Sequence, residues 1–185
     1  MHGAGIARDV VGSADAGADA TERGGSERPR VMALFLDTFV NKLDRKGRVS
    51  VPAPYRQQLA SNGFQGIAAL PSFKHRAIQC GSLEWLDQIN KRLGAVDLFS
   101  DEHDDLTATL FGDTKQLPFD GEGRIILPPA LIEHAGIADL AAFVGRGSTF
   151  EIWDPAALDV YKAEARRRAL DKGRTLGRGG PGESA

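Results

Sequence analysis

The stretch LDRKGRVSVP at residues 43–52 occurs a second time, as FDGEGRIILP at residues 119–128. Both copies hold an apolar residue, Asp, Gly, Arg, alternating apolar residues and Pro at the same positions, with an offset of 76 residues. Agreement at so many fixed positions within a chain of 185 residues indicates an internal duplication. We therefore expect two copies of one small module.

Each copy of the motif predicts a tight turn followed by a strand. An Asp that accepts backbone N–H groups, with a Gly three residues later, is typical of a turn that contains a positive φ angle. Asp44 and Gly47 are accordingly predicted to form the first turn, and Asp120 and Gly123 the second. After the turn, alternation with a period of two buries the apolar residues and leaves Arg48 on the exposed face.

The sequence after each motif also runs in parallel in the two copies. A short helix that begins with proline, then two strands, then a polar helix are predicted twice. The short helices are expected at residues 54–59 and 129–135, the strands at 67–70, 77–79, 141–144 and 150–153, and the polar helices from about 82 and 155. The expected fold class is mainly β with short helices (α+β).

Composition and charge divide the chain further. Residues 1–31 are rich in small and charged residues with few apolar ones, which predicts disorder. Residues 32–161 hold 12 basic and 17 acidic residues, whereas the Arg-rich end from residue 162 has a net charge of +4. We predict an N-terminal extension (1–31), a first module (38–84), a helical connector (85–113), a second module (114–157) and a C-terminal helix with a basic flexible tail (158–185).

Several kinds of function are disfavoured by the residues themselves. One cysteine, Cys80, and four scattered histidines provide no spacing for metal ligands, and no apolar run is long enough to span a membrane. Asp44 and Asp120 form a pseudo-symmetric carboxylate pair, but the residues after them do not match those of aspartic proteases. We expect no enzyme, cofactor, metal, membrane association or small-molecule substrate, and a cytoplasmic location.

Cations concentrate around the first turn. Lys42, Arg45, Lys46 and Arg48 surround Asp44, whereas the second copy places Glu122 beside Arg124. Such a cluster favours binding to the phosphates of DNA, with an arginine available to contact base edges. The alternative for each arginine is a surface ion pair of little energetic value. The candidate DNA-binding residues are Lys42, Arg45, Lys46, Arg48 and Arg124.

The doubled motif resembles the swapped-hairpin DNA-binding module of the SpoVT-AbrB type, and the tandem pair is similar to the MraZ family of bacterial transcriptional regulators. The resemblance covers residues 32–161 and rests on residues 38–56, 117–136 and 143–153. Matching positions assign the family's DNA-contacting arginine to Arg48 and its counterpart to Arg124.

The resemblance also implies partners and a role. It implies a nucleoid-associated repressor that forms ring-like homo-oligomers on repeated sites in double-stranded promoter DNA. The implied target is the division and cell-wall gene cluster, including the protein's own promoter. The alternative is a protein-interaction module of the antitoxin or scaffold type, without sequence-specific DNA binding.

The acidic stretch at residues 97–105 departs from the resemblance, because relatives usually carry arginines on a helix there. Its acids suit a helix N-terminus, where the macrodipole favours negative charge. A divalent metal site formed by Asp101, Asp104 and Asp105 and an intersubunit contact are the alternatives.

Overall fold

The computed structural model describes residues 34–60 and 63–171, and these residues form eight strands and five helices. The first copy contains β1 (Thr38–Lys42), β2 (Arg48–Ser50), α1 (Ala53–Leu59), β3 (Gly66–Pro71), β4 (Ile78–Gly81) and α2 (Leu83–Leu93). After α3 (Asp101–Gly112), the second copy contains β5 (Lys115–Pro118), β6 (Arg124–Ile126), α4 (Pro129–Ala135), β7 (Leu140–Gly145), β8 (Phe150–Trp153) and α5 (Pro155–Asp171). The predictions for residues 1–31 and for the tail after residue 171 lie outside the described residues.

The predicted order of strands and helices is confirmed, with bounds that differ by no more than two residues. Prolines lie in the first turn of α1 and of α4, where their fixed φ suits a helix start. Gly136 ends α4 in the left-handed conformation, with a φ of 66°. The fold is mainly antiparallel β with short helices, as the sequence predicted.

The larger sheet has six antiparallel strands in the order β1-β7-β8-β4-β3-β5. In this order, the first strand of each copy pairs with the third strand of the other copy. Thr38 of β1 lies opposite Val144 of β7, and Lys115 of β5 lies opposite Ala69 of β3. The copies therefore exchange their first strands, which is the hallmark of a swapped hairpin.

The smaller sheet contains only β2 and β6, one strand from each copy. Val49 lies opposite Ile125 at its centre, and both side chains are buried. Two further backbone bonds tie each strand to the turn of the other copy. Val51 donates its N–H to the carbonyl oxygen of Gly123 at 3.1 Å, and Leu127 donates to Gly47 at 2.8 Å. We call this two-stranded element, with its two turns, the ribbon.

Side chains alternate between two hydrophobic clusters on β7. Ala141 and Phe143 join the main core, which also holds the buried face of the ribbon. Ala142 and Val144 join a second cluster with Leu158 of α5. Because successive strand residues point to opposite faces, α5 covers one side of the large sheet and the ribbon lies on the other.

Aromatic rings fill the main core next to the ribbon. Tyr55 of α1 lies 5.2 Å from Phe35 and 5.0 Å from Phe150, measured between ring centroids. Its hydroxyl donates to the carbonyl oxygen of Asp37 at 2.9 Å. Cys80 is fully buried, and burial raises the pKa of its thiol well above the usual value, so it acts as a small apolar side chain.

The two copies come into close contact where Gly47 of the first turn approaches the backbone of Leu127. The φ of Gly47 is +75°, and a Cβ there would lie 2.8 Å from the carbonyl oxygen of Leu127. We expect Gly47→Ala to lower the free energy of unfolding by more than about 2 kcal/mol, because a steric clash adds to the cost of a positive φ. Gly63→Ala is the matched control, with a φ of +71° and nothing within 4 Å of the added Cβ.

Chemical denaturation of both variants measures the difference. The control should lose only the about 1–2 kcal/mol that a positive φ costs an L-residue. Equal losses in the two variants would contradict the importance of the contact between Gly47 and Leu127.

Candidate nucleic-acid interface

The turn of the first copy is held together by the carboxylate of Asp44. Its Oδ1 accepts the backbone N–H of Lys46 at 2.8 Å and that of Arg48 at 2.9 Å. Gly47 donates its N–H to the carbonyl oxygen of Asp44 at 2.9 Å. These bonds are all local to the turn, which agrees with a motif that is readable from local sequence, and the bond from Leu127 to Gly47 adds a contact with the other copy.

The turn of the second copy repeats this geometry. Oδ1 of Asp120 accepts the backbone N–H groups of Glu122 and Arg124, each at 2.9 Å. Gly123, with a φ of +73°, donates to the carbonyl oxygen of Asp120 at 2.9 Å. The duplication is therefore conserved in atomic detail, although the residues between Asp and Gly differ in charge.

The guanidinium of each motif arginine is oriented by the aspartate of the same turn. Nε of Arg48 donates to Oδ2 of Asp44 at 2.6 Å, and Nε of Arg124 donates to Oδ2 of Asp120 at 2.7 Å. Arg124 has a second acidic partner, because its Nη1 lies 2.7 Å from Oε2 of Glu122. Among the described residues, Arg48 is paired with Asp44 only. The terminal nitrogens of Arg48 are thus more available to a ligand than those of Arg124.

Both arginines lie on one exposed face of the ribbon. Arg48 is opposite Ile126 and Ser50 is opposite Arg124, so these four residues share a face. The exposed fraction is 61% for Ile126, and the arginine side chains are 36% and 29% exposed. Because the strands run antiparallel, the arginines occupy opposite ends of this face.

The carboxyls are strongly acidic. Hydrogen bonds from the backbone N–H of Arg124 and from its side chain lower the pKa of Asp120 to about 2. The backbone N–H of Arg48 similarly lowers the pKa of Asp44. A carboxylate pair that shares one proton would instead raise one of the two pKa values. The two aspartates therefore serve as anchors for arginine and backbone.

The remaining predicted cations surround the first turn. Lys42 ends β1, and Arg45 and Lys46 occupy the tip of the turn, all three with exposed side chains. Arg45, Lys46 and Arg48 thus lie at one end of the ribbon, and Lys42 lies two residues before the turn, in the large sheet. Arg124 lies at the other end, with Glu122 beside it.

Sequence reasoning missed Arg56 as a member of this surface. Arg56 belongs to α1 of the first copy, yet its guanidinium lies against Gly123 in the turn of the second copy. The spacing within the first copy gives no sign of this, because the contact arises from the exchange between copies. The available signal was the 76-residue offset, which pairs Arg56 with Ile132, the residue that lies against Gly47.

This geometry defines the class as a tandem protein in which two copies of one module exchange strands. The chain belongs to the MraZ family, since "Transcriptional regulator MraZ" of Rickettsia bellii (strain OSU 85-389) is 43% identical over 146 residues, covering 78% of this chain and 97% of that protein. The protein of the same name from Rickettsia rickettsii (strain Sheila Smith) is 42% identical over 145 residues, with the same coverage. A family profile described as "MraZ protein, putative antitoxin-like" matches residues 110–177.

The acids of the connector lie where a helix favours them. Asp101, Glu102 and Asp104 occupy the first turn of α3, and Ser100 caps it by accepting the N–H of His103 at 3.1 Å. Within residues 34–60 and 63–171, no three His, Cys, Asp or Glu side chains are grouped so that they could hold a metal ion. The metal alternative for this stretch therefore has no support. No helix in the described part of the chain is long and apolar enough to cross a membrane.

The low pKa of Asp120 makes the stability of the turn dependent on pH. Its pKa falls from an ordinary 3.8 to about 2 on folding, so its contribution is complete above pH 3.8 and is lost as the pH falls through about 2. We expect Asp120→Asn to be less stable than the unchanged protein at neutral pH. The difference should stay nearly constant down to about pH 4 and then shrink toward pH 2, as denaturant titrations between about pH 2 and 7 would show. A difference that stays constant across that range would contradict the ion-pair account.

Proposed function

We propose that this chain is a transcription regulator that binds double-stranded DNA with the exposed face of the ribbon. The observation that carries the proposal is the pair of Asp-anchored arginines at the two ends of one antiparallel two-stranded element. Two-stranded ribbons are known to enter the major groove, which is about 12 Å wide. Strands about 4.8 Å apart fit that width with their side chains.

The two arginines are proposed to contribute unequally. Arginine recognises guanine through two parallel hydrogen bonds to O6 and N7, and the terminal nitrogens of Arg48 are suited to this. Arg124 must break its ion pair with Glu122 before it can bind a guanine in this way. The carboxylate of Glu122 also repels DNA phosphates. Arg48 is therefore the main base-reading residue.

The cations beside Arg48 are proposed to contact phosphates. Lys42, Arg45 and Lys46 are all exposed, the last two at the tip of the first turn and Lys42 two residues before the turn. Such contacts provide affinity, register on the duplex and a dependence on salt, with little information about sequence.

The finer features of the role rest on the family resemblance and on chemistry. One ribbon offers few contacts, so tight binding is proposed to come from a ring-like homo-oligomer on repeated promoter sites. Occupation of those sites would repress the division and cell-wall gene cluster, including the protein's own promoter, and would place the protein at the nucleoid. The relatives carry the name of transcriptional regulators, which supports the general role.

A protein-interaction module of the antitoxin or scaffold type is the second candidate function. The description of the matching family as antitoxin-like favours it, as do the acidic start of α3 and the exposed Phe99 just before that helix. The cation cluster at the first turn favours DNA as the ligand, because a positively charged surface attracts a polyanion.

Replacing Arg48 tests the proposal directly. We expect Arg48→Ala to reduce the preference for DNA upstream of the chain's own gene over scrambled DNA by about 5- to 150-fold, which corresponds to about 1–3 kcal/mol. Arg124→Ala should have a smaller effect. Fluorescence anisotropy with labelled duplexes at several salt concentrations measures both.

Arg48→Lys serves as the control, because it keeps the charge but loses the planar donor pair. It should retain nonspecific affinity and lose most of the preference. If the unchanged protein shows no preference, or if Arg48→Ala binds like it, the DNA-reading role is wrong and the interaction module becomes the leading hypothesis.

Glu122 provides a test in the opposite direction. Glu122→Gln removes a carboxylate that occupies Nη1 of Arg124 and repels DNA, so we expect tighter binding and a steeper dependence of affinity on salt. Asp159→Asn, an equal change of charge on the exposed side of α5, is the control and should have a smaller effect. Equal effects of the two variants would mean that only net charge matters.

A further inference from the structure

Arg56 is a cation that the first copy places in the turn of the second. A Cβ on Gly123 would overlap Nη1 of Arg56, so the guanidinium rests directly on the turn backbone. The same exchange brings Ile132 to the first turn, where its Cδ1 would lie 3.6 Å from a Cβ on Gly47. The position is therefore equivalent in the two copies, but only one of them carries a charge there.

The charge of Arg56 falls where the local sequence lacks cations. The first turn has Arg45 and Lys46 at its tip, and the second has Gly121 and Glu122 at the same positions. Without Arg56, the second turn would hold two carboxylates and one arginine, a net negative charge facing the proposed DNA. Arg56 makes that turn neutral.

The side chain has donors that the protein does not use. Nε of Arg56 is buried and has no hydrogen-bond partner within the described residues. Burying an unpaired donor costs free energy, so stability alone does not account for an arginine at this position. Nε itself is too buried to reach an acceptor outside the chain, so the donors available to one are the terminal nitrogens of Arg56, which make no hydrogen bond within the described residues.

We infer that Arg56, although it belongs to the first copy, binds a DNA phosphate at the second turn. It reaches that turn because the two copies exchange strands. The inference rests on the proposed DNA binding of the ribbon. At the first end, the turn's own Arg45 and Lys46 contact the DNA backbone. At the second end, Arg56 does so from α1, and both ends of the ribbon are thereby fixed to the duplex.

The test removes the charge of Arg56 and keeps the packing of its apolar stem. Arg56→Met retains an unbranched apolar stem without the guanidinium, and Arg56→Lys retains the charge. We expect Arg56→Met to weaken binding to upstream and scrambled DNA by the same factor. It should also lower the slope of log affinity against log salt by about 0.9 for each protomer on the DNA. Arg56→Lys should keep a slope close to that of the unchanged protein.

Two further measurements separate a DNA contact from a structural role. The thermal midpoint of Arg56→Met should not fall, because the variant loses an unpaired buried donor. Arg92→Met, at an exposed position of α2 outside both turns, should leave the salt slope unchanged.

The outcomes distinguish this inference from the proposal it depends on. If the unchanged protein prefers upstream DNA through Arg48, but Arg56→Met keeps the full salt slope, only the role of Arg56 is overturned. A lowered thermal midpoint together with an unchanged slope would assign Arg56 to the fold. If the unchanged protein does not bind DNA, both statements are overturned.

Discussion

Backbone hydrogen bonds between the copies hold the ribbon together, two of them beyond the β2–β6 ladder, and the exposed surface depends on them. Val51 reaches Gly123, and Leu127 reaches Gly47. Strands β2 and β6 are three residues long and form their ladder with each other, and outside this ladder Val49 of β2 makes one isolated bridge, to Leu43. Half of the chain alone would expose its short strand and turn to water and would lose these bonds, at about 0.5–1.5 kcal/mol net for each. The two copies fold as a unit because each completes the other's turn.

The local features could be predicted because they depend on residues close in sequence. Asp44 accepts the N–H groups two and four residues later, and the strand after the turn alternates between core and solvent. The short helices followed from their prolines. What the pattern did not contain was the identity of the strand partners, since β1 could pair within its own copy or with the other. That choice is made by contacts about 100 residues apart.

The ion pair and the proposed DNA contact first stood as alternatives for the motif arginines, and the geometry is compatible with both. Asp44 engages Nε of Arg48, which orients the guanidinium and leaves its terminal nitrogens for a ligand. An arginine held in this way loses less side-chain freedom on binding than a free one. As a surface salt bridge, the ion pair between Arg48 and Asp44 contributes little to stability. Its main effect is to orient the guanidinium. Arg56 could not be predicted for a different reason. It belongs to the first copy but lies against Gly123 in the turn of the second.

Fusion of the two copies into one chain permits the ends of the ribbon to differ. A symmetric dimer of identical modules must present the same turn twice, because its interface is related by a twofold axis. Here one end carries Arg45 and Lys46 on its own turn, whereas the other carries Glu122 and obtains Arg56 from the opposite copy. In the proposed complex with DNA, a ribbon with unlike ends would have a preferred direction, so the site bound by each protomer would not need internal twofold symmetry. The proposed DNA binding therefore favours operators whose repeats are arranged in the same direction.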